Sequence, residues 1–250
     1  NFIIIYLKKK KMEFNTLQYE NINGITTITL NRPDRFNAFN NEMSYELQDA
    51  LKAVKRDENC RVVVLTGSGK AFCSGQDLKD IAGEKRNLSE SLYKRYNPII
   101  KAMRELEKPI ICKQNGVAAG AGCSLVLACD FIVADEKASL IEVFVNVGLV
   151  LDSGSSYFLP RVVGTNRAFE LATMGSKVSA MQAVTWGMIN RAVPTEDLDA
   201  EVQKVAEYYR SHICHVYDFL PFHSSKNFHD NQKIRYQLRQ PHYQNQLVYP

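Results

Sequence analysis

The sequence predicts an α/β fold in which strands and helices alternate, followed by a helical C-terminal region. Three observations predict it. An Asn23-Gly24 pair separates two runs of alternating polarity, short apolar runs alternate with amphipathic segments as far as Ala134, and helical periodicity dominates from Arg167 to Tyr209. Because strands separated by helices pair in parallel through right-handed crossovers, the alternation indicates a largely parallel sheet.

Each element has its own signal. Tyr19–Asn23 and Ile25–Leu30 flank an Asn-Gly pair, which is typical of a tight β-hairpin. Asn41–Asp57 carries apolar residues at helical spacing. The remaining predicted elements are strands at Cys60–Leu65, Pro109–Lys113 and Phe131–Ala134, and helices at Leu88–Leu106, Gly122–Cys129, Arg167–Met174, Ala180–Trp186 and Leu198–Tyr209.

Composition limits the classes of function. The chain has 250 residues, of which 45% are hydrophobic, and a formal net charge of +4. It is long enough to bury a sizeable core, and the mild charge without a basic and aromatic stripe argues against a nucleic-acid binder. The six cysteines show no paired C-x-x-C spacing, which is typical of reduced thiols in a cytoplasmic protein.

The two ends differ from the rest of the chain. Residues 1–11 place a short apolar run before four lysines, the reverse of a secretory signal and too short to span a membrane. We interpret them as an upstream extension, with a surface-associating segment as the alternative. Beyond residue 209 all five histidines appear and apolar periodicity fades, which indicates a shifted reading frame or a diverged end. The predicted divisions are 1–11, a core at 12–195, and a C-terminal helical region at 196–250.

Two glycine-rich turns, Lys70–Asp77 and Asn115–Cys123, each follow a strand-like run. Such turns can direct backbone N–H groups at one point, where they stabilise an anion that develops on a carbonyl oxygen. A lone acidic residue follows in Gly148–Gly154 and is a candidate proton carrier. The alternative is that each turn is only a tight connection between a strand and a helix.

These segments resemble the crotonase (enoyl-CoA hydratase/isomerase) family from about Leu17 to Tyr209. The resemblance is carried by Leu30–Ala38, Val63–Gly67, Ala71–Leu78, Asn115–Asp130 and Gly148–Arg161. It implies a crotonase-like ββα spiral core followed by C-terminal helices that close an acyl-CoA site and build trimers or hexamers. It also implies an acyl-CoA thioester substrate and no separate cofactor, since coenzyme A is part of that substrate.

By this resemblance the oxyanion hole consists of the backbone N–H groups of Gln76 and Ala121. Glycines beside the two donors allow the backbone to approach closely. Arg35 and Lys79 are expected as phosphate partners, with simple solvation as the alternative, and Asp77 is best interpreted as a capping acid of its loop. The positions that the family motif assigns to substrate and CoA binding are Arg35, Ala38, Ala71, Ser74, Asp77, Leu78 and Gly120.

The residues expected to act as the base differ from those of the hydratases of the family. Those enzymes hold a water molecule between two glutamates, where this chain has Ser124 and Phe144. Neither side chain can act as a base, so hydration is disfavoured. Asp152 instead stands where many isomerases of the family carry their acid, and one carboxylate can move a proton between two carbons. Capping of a helix is the alternative role of Asp152. Its expected apolar neighbours, which would raise its pKa, are Val147, Leu149, Leu151 and Phe158.

Within the family, Val147–Arg161 most resembles the isomerases that rearrange 1,2-epoxyphenylacetyl-CoA in phenylacetate catabolism and also shift double bonds of enoyl-CoA. Those enzymes commonly have proline where this chain has Leu151. The sequence therefore predicts an acyl-CoA isomerase that works through a thioester enolate.

Three alternatives stay open. An enoyl-CoA hydratase needs a water-orienting carboxylate from elsewhere, such as Glu142, which we otherwise interpret as solvated or structural. A carboxylate nucleophile acting on an aryl-CoA is the second alternative. The third is a non-catalytic acyl-CoA-binding homologue whose altered tail no longer completes the site.

Other catalytic schemes lack their residues. Residues 1–210 contain no histidine, which removes Ser-His-Asp and Cys-His arrangements, so Cys73 is interpreted as a packed thiol. The tail has His212, Cys214 and His215 but no second cluster at zinc spacing. No metal, nucleic-acid or membrane partner is therefore expected.

Overall fold

A computed structural model of the chain describes residues 13–79 and 87–212. The chain divides into two compact units, Asn1–Ala206 and Glu207–Pro250. Only residues 207–212 of the second unit are described; they are helical, and Arg210 pairs with Glu207 at 2.7 Å. The predictions made for residues 1–11 and for the tail beyond residue 212 lie outside the described residues.

The described residues form ten strands and eight α-helices. The strands are β1 (Leu17–Ile22), β2 (Ile25–Leu30), β3 (Val62–Gly67), β4 (Ala71–Cys73), β5 (Ile110–Gln114), β6 (Val117–Ala119), β7 (Phe131–Asp135), β8 (Ser139–Ile141), β9 (Lys177–Ser179) and β10 (Arg191–Val193). The helices are α1 (Asn41–Arg56), α2 (Leu88–Ser91), α3 (Asn97–Arg104), α4 (Ala121–Leu127), α5 (Ser155–Val163), α6 (Thr165–Met174), α7 (Ala180–Thr185) and α8 (Leu198–His212).

The predicted hairpin is confirmed. β1 and β2 pair antiparallel, from Leu17 opposite Leu30 to Ile22 opposite Ile25. Asn23 and Gly24 connect them with φ values of 52° and 86°. Positive φ at both central residues matches the right-handed twist of the flanking strands, which is why Asn-Gly suits this position.

A six-stranded sheet forms the main layer, in the order β1-β2-β3-β5-β7-β10. Apart from the hairpin, every neighbouring pair in it is parallel. All six residues of β3 are buried, as expected of a strand covered on both faces. Asn40 caps α1 by accepting a hydrogen bond from the Met43 N–H, and α1 packs its apolar face into the core.

A second sheet of four short strands, in the order β4-β6-β8-β9, carries the glycine-rich turns. The sequence did not predict it, because three-residue strands are too short to show a period. β4 and β6 pair in parallel, so their carboxyl ends lie at the same edge of the sheet. The turn after β4 contains Gln76 and the turn after β6 contains Ala121, which brings both predicted donors to one place.

The predicted helix at Leu88–Leu106 is interrupted. It consists of α2, a π-helical segment at Leu92–Tyr96, and α3. The π-helical segment buries Arg95 and Tyr96, which are 5% and 7% exposed. Single π-helical turns inside α-helices often occur at functional sites, and this one faces the Gln76 turn.

Thiols in the described part of the chain are packed, not paired. The five described cysteines are buried and free: Cys60, Cys73, Cys112, Cys123 and Cys129. Burial raises the pKa of Cys73 to about 12, which confirms its interpretation as a packed thiol. Over residues 13–79 and 87–212, no cluster of three potential metal ligands occurs, and no helix is long and apolar enough to cross a membrane.

Candidate active site

The two glycine-rich turns are in direct contact. A Cβ atom on Gly75 would lie 2.8 Å from the Ala119 carbonyl oxygen and 3.6 Å from the Ala121 nitrogen. A Cβ atom on Gly122 would lie 2.2 Å from the Cys73 carbonyl oxygen. No side chain fits at either glycine, so these residues permit the approach that sets the two predicted donors side by side.

Both predicted N–H donors are available. Gly75 accepts from the Phe39 N–H at 2.7 Å and Asp77 donates to the Phe39 carbonyl at 2.9 Å, so the Gln76 N–H between them faces away from Phe39. Ala121 is the first residue of α4, where an N–H has no acceptor within the helix. In the described ranges, neither N–H donates a hydrogen bond to protein. The arrangement can therefore accept an oxyanion.

The side chain of Gln76 anchors the first turn. Its Nε2 donates to the Phe39 carbonyl at 2.9 Å, while its Oε1 accepts from Arg95 Nη2 at 3.2 Å and from the Tyr96 hydroxyl. Arg95 Nη1 also donates to Asn41 Oδ1 at 2.8 Å. Sequence reasoning missed Arg95 and Tyr96, although an arginine on an apolar helix face was an available signal.

The segment that contains Arg35 and Ala38 runs alongside the first turn. The Ser74 N–H donates to the Phe36 carbonyl at 3.0 Å, and Ser74 Oγ donates to the Arg35 carbonyl at 3.4 Å. Arg35 is exposed and Leu78 is 57% exposed, so both reach the surface beside the turn. Ala38 and Ala71 are buried.

Asp77 stabilises its own loop. Its carboxylate pairs with Arg32 Nη2 at 2.9 Å and accepts from the Lys79 N–H at 3.1 Å. These contacts agree with the interpretation of Asp77 as a capping acid. Nearby, the fully buried Asn37 accepts from the Arg32 N–H and donates to the Ala71 carbonyl, at 2.9 and 2.8 Å. Asn37 was not singled out from the sequence.

Asp152 lies in a tight turn before α5. The Ser155 N–H donates to the Asp152 carbonyl at 2.9 Å, and the two central residues, Ser153 and Gly154, have φ values of 49° and 90°. The residue at the N-cap of α5 is Gly154, with no side-chain cap, so the capping alternative for Asp152 is wrong. The Asp152 carboxylate instead accepts from Ser153 Oγ at 2.7 Å.

The pKa of Asp152 is raised. Burial is the larger cause, and the hydrogen bond from Ser153 acts in the opposite direction. Leu151 and Phe158 are partly buried and pack against the hydrophobic core. Val147 is 50% exposed, and its place among the apolar neighbours of Asp152 stays a prediction. A carboxyl group with a raised pKa is suited to both accept and return a proton.

Ser124 and Phe144, the two positions that the resemblance matches to the glutamates of hydratases, are both buried. Ser124 Oγ lies 3.3 Å from the Gly120 carbonyl and 3.1 Å from the Asp152 carbonyl. One hydroxyl therefore joins the second turn to the turn that carries the acid. The Phe144 ring lies 4.0 Å from the place of a Gly120 Cβ, so it provides an apolar wall beside the second turn.

Glu142 is a buried carboxyl group that faces this cluster. It is 1% exposed, which rules out the interpretation of it as solvated. Its Oε1 accepts from Ser155 Oγ at 2.9 Å, whereas Oε2 has no hydrogen-bond partner within the described part of the chain. Burial raises the pKa of Glu142 to about 7, and the negative charge of Asp152 acts in the same direction.

Comparison with known proteins gives one consistent family. The model of the family described as "Enoyl-CoA hydratase/isomerase" matches residues 20–246. The chain is 44% identical over 189 residues to a 1,2-epoxyphenylacetyl-CoA isomerase of Escherichia coli (strain K12), covering 74% of this chain and 72% of that protein. It is 42% identical over 188 residues to a probable enoyl-CoA hydratase of Rhodobacter capsulatus, covering 75% and 72%. The crystal structure of an enoyl-CoA hydratase from Bacillus anthracis superposes with a TM-score of 0.76 at 33% identity, covering 79% of this chain and 77% of that one. The chain belongs to the crotonase (enoyl-CoA hydratase/isomerase) family.

Proposed function

We propose that this protein is an acyl-CoA isomerase that moves a proton along the acyl chain through a thioester enolate. The Gln76 and Ala121 N–H groups hold the thioester oxygen as negative charge develops on it. Asp152 removes a proton from one carbon and returns it to another. The substrate is an enoyl-CoA or an aryl-CoA, and the reaction is a double-bond shift or the rearrangement of a ring epoxide.

One observation carries this proposal: the candidate site offers two free N–H donors and a partly buried acid whose turn is attached to the second donor turn. Stabilisation of an enolate by two preorganised donors is a large electrostatic effect, of the order of several kcal/mol. Asp152 supplies the proton transfer without a histidine, and its raised pKa favours a cycle of protonation and deprotonation.

The hydratase positions support isomerisation over hydration. The Ser124 hydroxyl lies within hydrogen-bonding distance of the Gly120 and Asp152 carbonyls. The buried Phe144 ring adds an apolar surface. A water molecule would find no carboxylate at either position. An apolar wall also excludes water that would otherwise quench the enolate.

Coenzyme A enters this proposal as part of the substrate, and no separate cofactor is required. Arg35 and Lys79 are surface cations beside the first turn and are proposed to contact the phosphates of coenzyme A. We further propose that the enzyme is cytoplasmic, since its cysteines lack paired spacing, and that it works as a homotrimer or a hexamer, as the family resemblance implies. Gel filtration of the full chain tests the assembly.

Deuterium exchange tests the mechanism directly. Incubation in D2O with a 3-enoyl-CoA and with phenylacetyl-CoA should introduce deuterium next to the carbonyl and, for the enoyl substrate, should move the double bond. In Asp152→Asn the rate should fall by about 10²- to 10⁴-fold, because the amide cannot accept the proton. Mass spectrometry of the recovered thioester measures both outcomes.

Asp199→Asn is the matched control, since it makes the same change at a side chain that is 84% exposed on α8. It should exchange deuterium at the wild-type rate. Binding of the thioester without exchange in the wild-type protein would contradict the proposal and favour a non-catalytic acyl-CoA-binding protein.

Enoyl-CoA hydration is the second candidate, because Glu142 is a second carboxyl group close enough for Asp152 to affect its pKa. Its 1% exposure and its hydrogen bond from Ser155 argue against a water-orienting role. The assay is loss of the 2-enoyl-CoA absorbance with formation of the 3-hydroxyacyl product. Product formation that disappears in Glu142→Gln would favour hydration.

A further inference from the structure

Three hydrogen-bonding contacts join Glu142 to the backbone of Asp152. Glu142 Oε1 lies 2.9 Å from Ser155 Oγ, the two serine hydroxyls of Ser155 and Ser124 lie 2.8 Å apart, and Ser124 Oγ lies 3.1 Å from the Asp152 carbonyl. All three side chains are 0% or 1% exposed. Solvent water therefore cannot donate a hydrogen bond to any of these side chains.

The number of protons available for these hydrogen bonds depends on whether Glu142 is protonated. Each contact needs one proton, each serine hydroxyl has one, and a backbone carbonyl has none. If Glu142 is ionised, Ser155 donates to it, and the single Ser124 proton is shared among Ser155 Oγ at 2.8 Å, the Asp152 carbonyl at 3.1 Å and the Gly120 carbonyl at 3.3 Å. The shortest of these contacts takes the proton, and the Asp152 carbonyl loses the Ser124 hydroxyl. If Glu142 is protonated, its hydrogen bond with Ser155 reverses: Glu142 donates to Ser155 and Ser155 donates to Ser124. The Ser124 proton is then left for the backbone carbonyls, of which that of Asp152 at 3.1 Å is nearer than that of Gly120 at 3.3 Å.

The second oxygen of Glu142 leads to the same conclusion. Within the described ranges Oε2 accepts no hydrogen bond, and Glu142 takes part in no ion pair there. A buried anionic oxygen without a partner is much less stable than the carbonyl oxygen of a neutral acid. The titratable groups that face Glu142 are the Cys123 thiol on α4 and the Asp152 carboxyl before α5, and neither supplies positive charge. The thiol does hydrogen-bond to Glu142 and lowers its pKa, but an S–H group is a weak donor and the effect of burial is larger.

We propose that Glu142 is a neutral positioning residue: its proton completes the chain through Ser155 and Ser124 that holds the turn of Asp152, and its ionisation releases that turn. This inference rests on the proposed isomerase function. Ionisation would also place negative charge behind the second turn, since the Gly120 N–H donates to the Ile141 carbonyl directly before Glu142. That charge would repel the developing enolate. Both effects slow proton transfer.

The first test is the pH profile of deuterium exchange with a 3-enoyl-CoA. The exchange rate should fall about fivefold, the effect of one net hydrogen bond, as the pH rises through about 7, the pKa to which burial brings Glu142. Glu142→Gln should lack this decrease, because its amide always donates to Ser155. Glu136→Gln makes the same change at an exposed site in the β7–β8 turn and should keep the decrease. A decrease that persists unchanged in Glu142→Gln would overturn the inference.

The second test does not depend on turnover. Infrared titration of the full chain with ¹³C-labelled glutamate should show one protonated glutamate at pH 6 that is absent from Glu142→Gln. In Ser124→Ala this signal should remain, while exchange below pH 7 falls about fivefold because the link to Asp152 is cut. Absence of any protonated glutamate at pH 6 would overturn the inference. No exchange at any pH, with the infrared signal present, would instead remove the proposed function and leave Glu142 neutral.

Discussion

The two turns of the candidate oxyanion hole are held by different kinds of interaction. The Gln76 turn is fixed by guanidinium groups: Arg95 donates to the Gln76 side chain and Arg32 pairs with Asp77 at 2.9 Å. The Ala121 turn is surrounded by glycines, serines and the buried Glu142, without an ion pair in the described part of the chain. Arginine keeps its charge at every accessible pH, whereas a buried carboxyl group titrates. The first turn is therefore expected to be insensitive to pH and the second to depend on one proton.

Among the changes that test the contrast between the two turns, the largest effect is expected where they touch. Gly75→Ala would bring a Cβ within 2.8 Å of the Ala119 carbonyl, so the turns must separate. Loss of one aligned donor typically lowers turnover by about 10²- to 10³-fold, and the exchange assay should show a decrease of that order. Gly187→Ala is the control, since Gly187 also has positive φ (71°) but its nearest neighbour would lie 3.8 Å away. If both variants lose activity equally, the close contact between the turns is not the cause of the loss in Gly75→Ala.

Stability should depend on pH through Glu142. Its pKa is 4.5 in an ordinary setting and about 7 in the folded protein, so the folded state binds this proton more tightly. The stabilisation is complete below pH 4.5 and is lost as the pH rises to about 7, a difference of roughly 3 kcal/mol in the free energy of unfolding. Urea unfolding at several pH values measures it. In Glu142→Gln the free energy of unfolding should no longer fall over this pH range. If it falls as much as in the wild type, Glu142 is not the source of the pH dependence.

A smaller effect that does not vary with pH is expected in the first turn. Arg95→Met keeps much of the buried volume but removes the donors to Gln76 and Asn41. Each hydrogen bond from a charged group contributes about 1.5–3 kcal/mol, so unfolding should become easier by about 2 kcal/mol or more between pH 5 and 8 alike. Urea unfolding over that range provides the measurement. A loss that grows with pH would contradict the contrast between the two turns.

The smallest expected effect concerns the acid itself. Ser153→Gly removes the hydrogen bond to Asp152 Oδ1 at 2.7 Å and suits the positive φ of 49°. That hydrogen bond lowers the pKa of Asp152, so its removal should raise the pKa further. The acidic limb of the exchange profile should then move to higher pH, with little change in the maximal rate. A shift to lower pH would mean that the hydroxyl does not stabilise the carboxylate.

Much of the fold could be predicted because long elements carry their own pattern. The hairpin at Asn23-Gly24 and the helix α1 were recognised with bounds within a residue or two, since a turn type or an apolar face is encoded locally. The π-helical segment at Leu92–Tyr96 was not recognised, because it keeps helical composition and differs only in its hydrogen bonds. The second sheet was not predicted because its strands have only three residues each and pair with strands that are distant in the sequence.

The family and the order of the main elements could be recognised from the amino-acid sequence, because each is encoded in short contiguous motifs. The same motifs predict the two donor positions and Asp152 as the acid. Only the tertiary structure decided that Glu142 is buried and that Arg95 holds Gln76. Ser124 meets Asp152 and Ser155 across separations of 28 and 31 residues, and no local pattern specifies such contacts. Whether a polar side chain is solvated or buried depends on what packs against it, and so its pKa and its protons are properties of the folded chain.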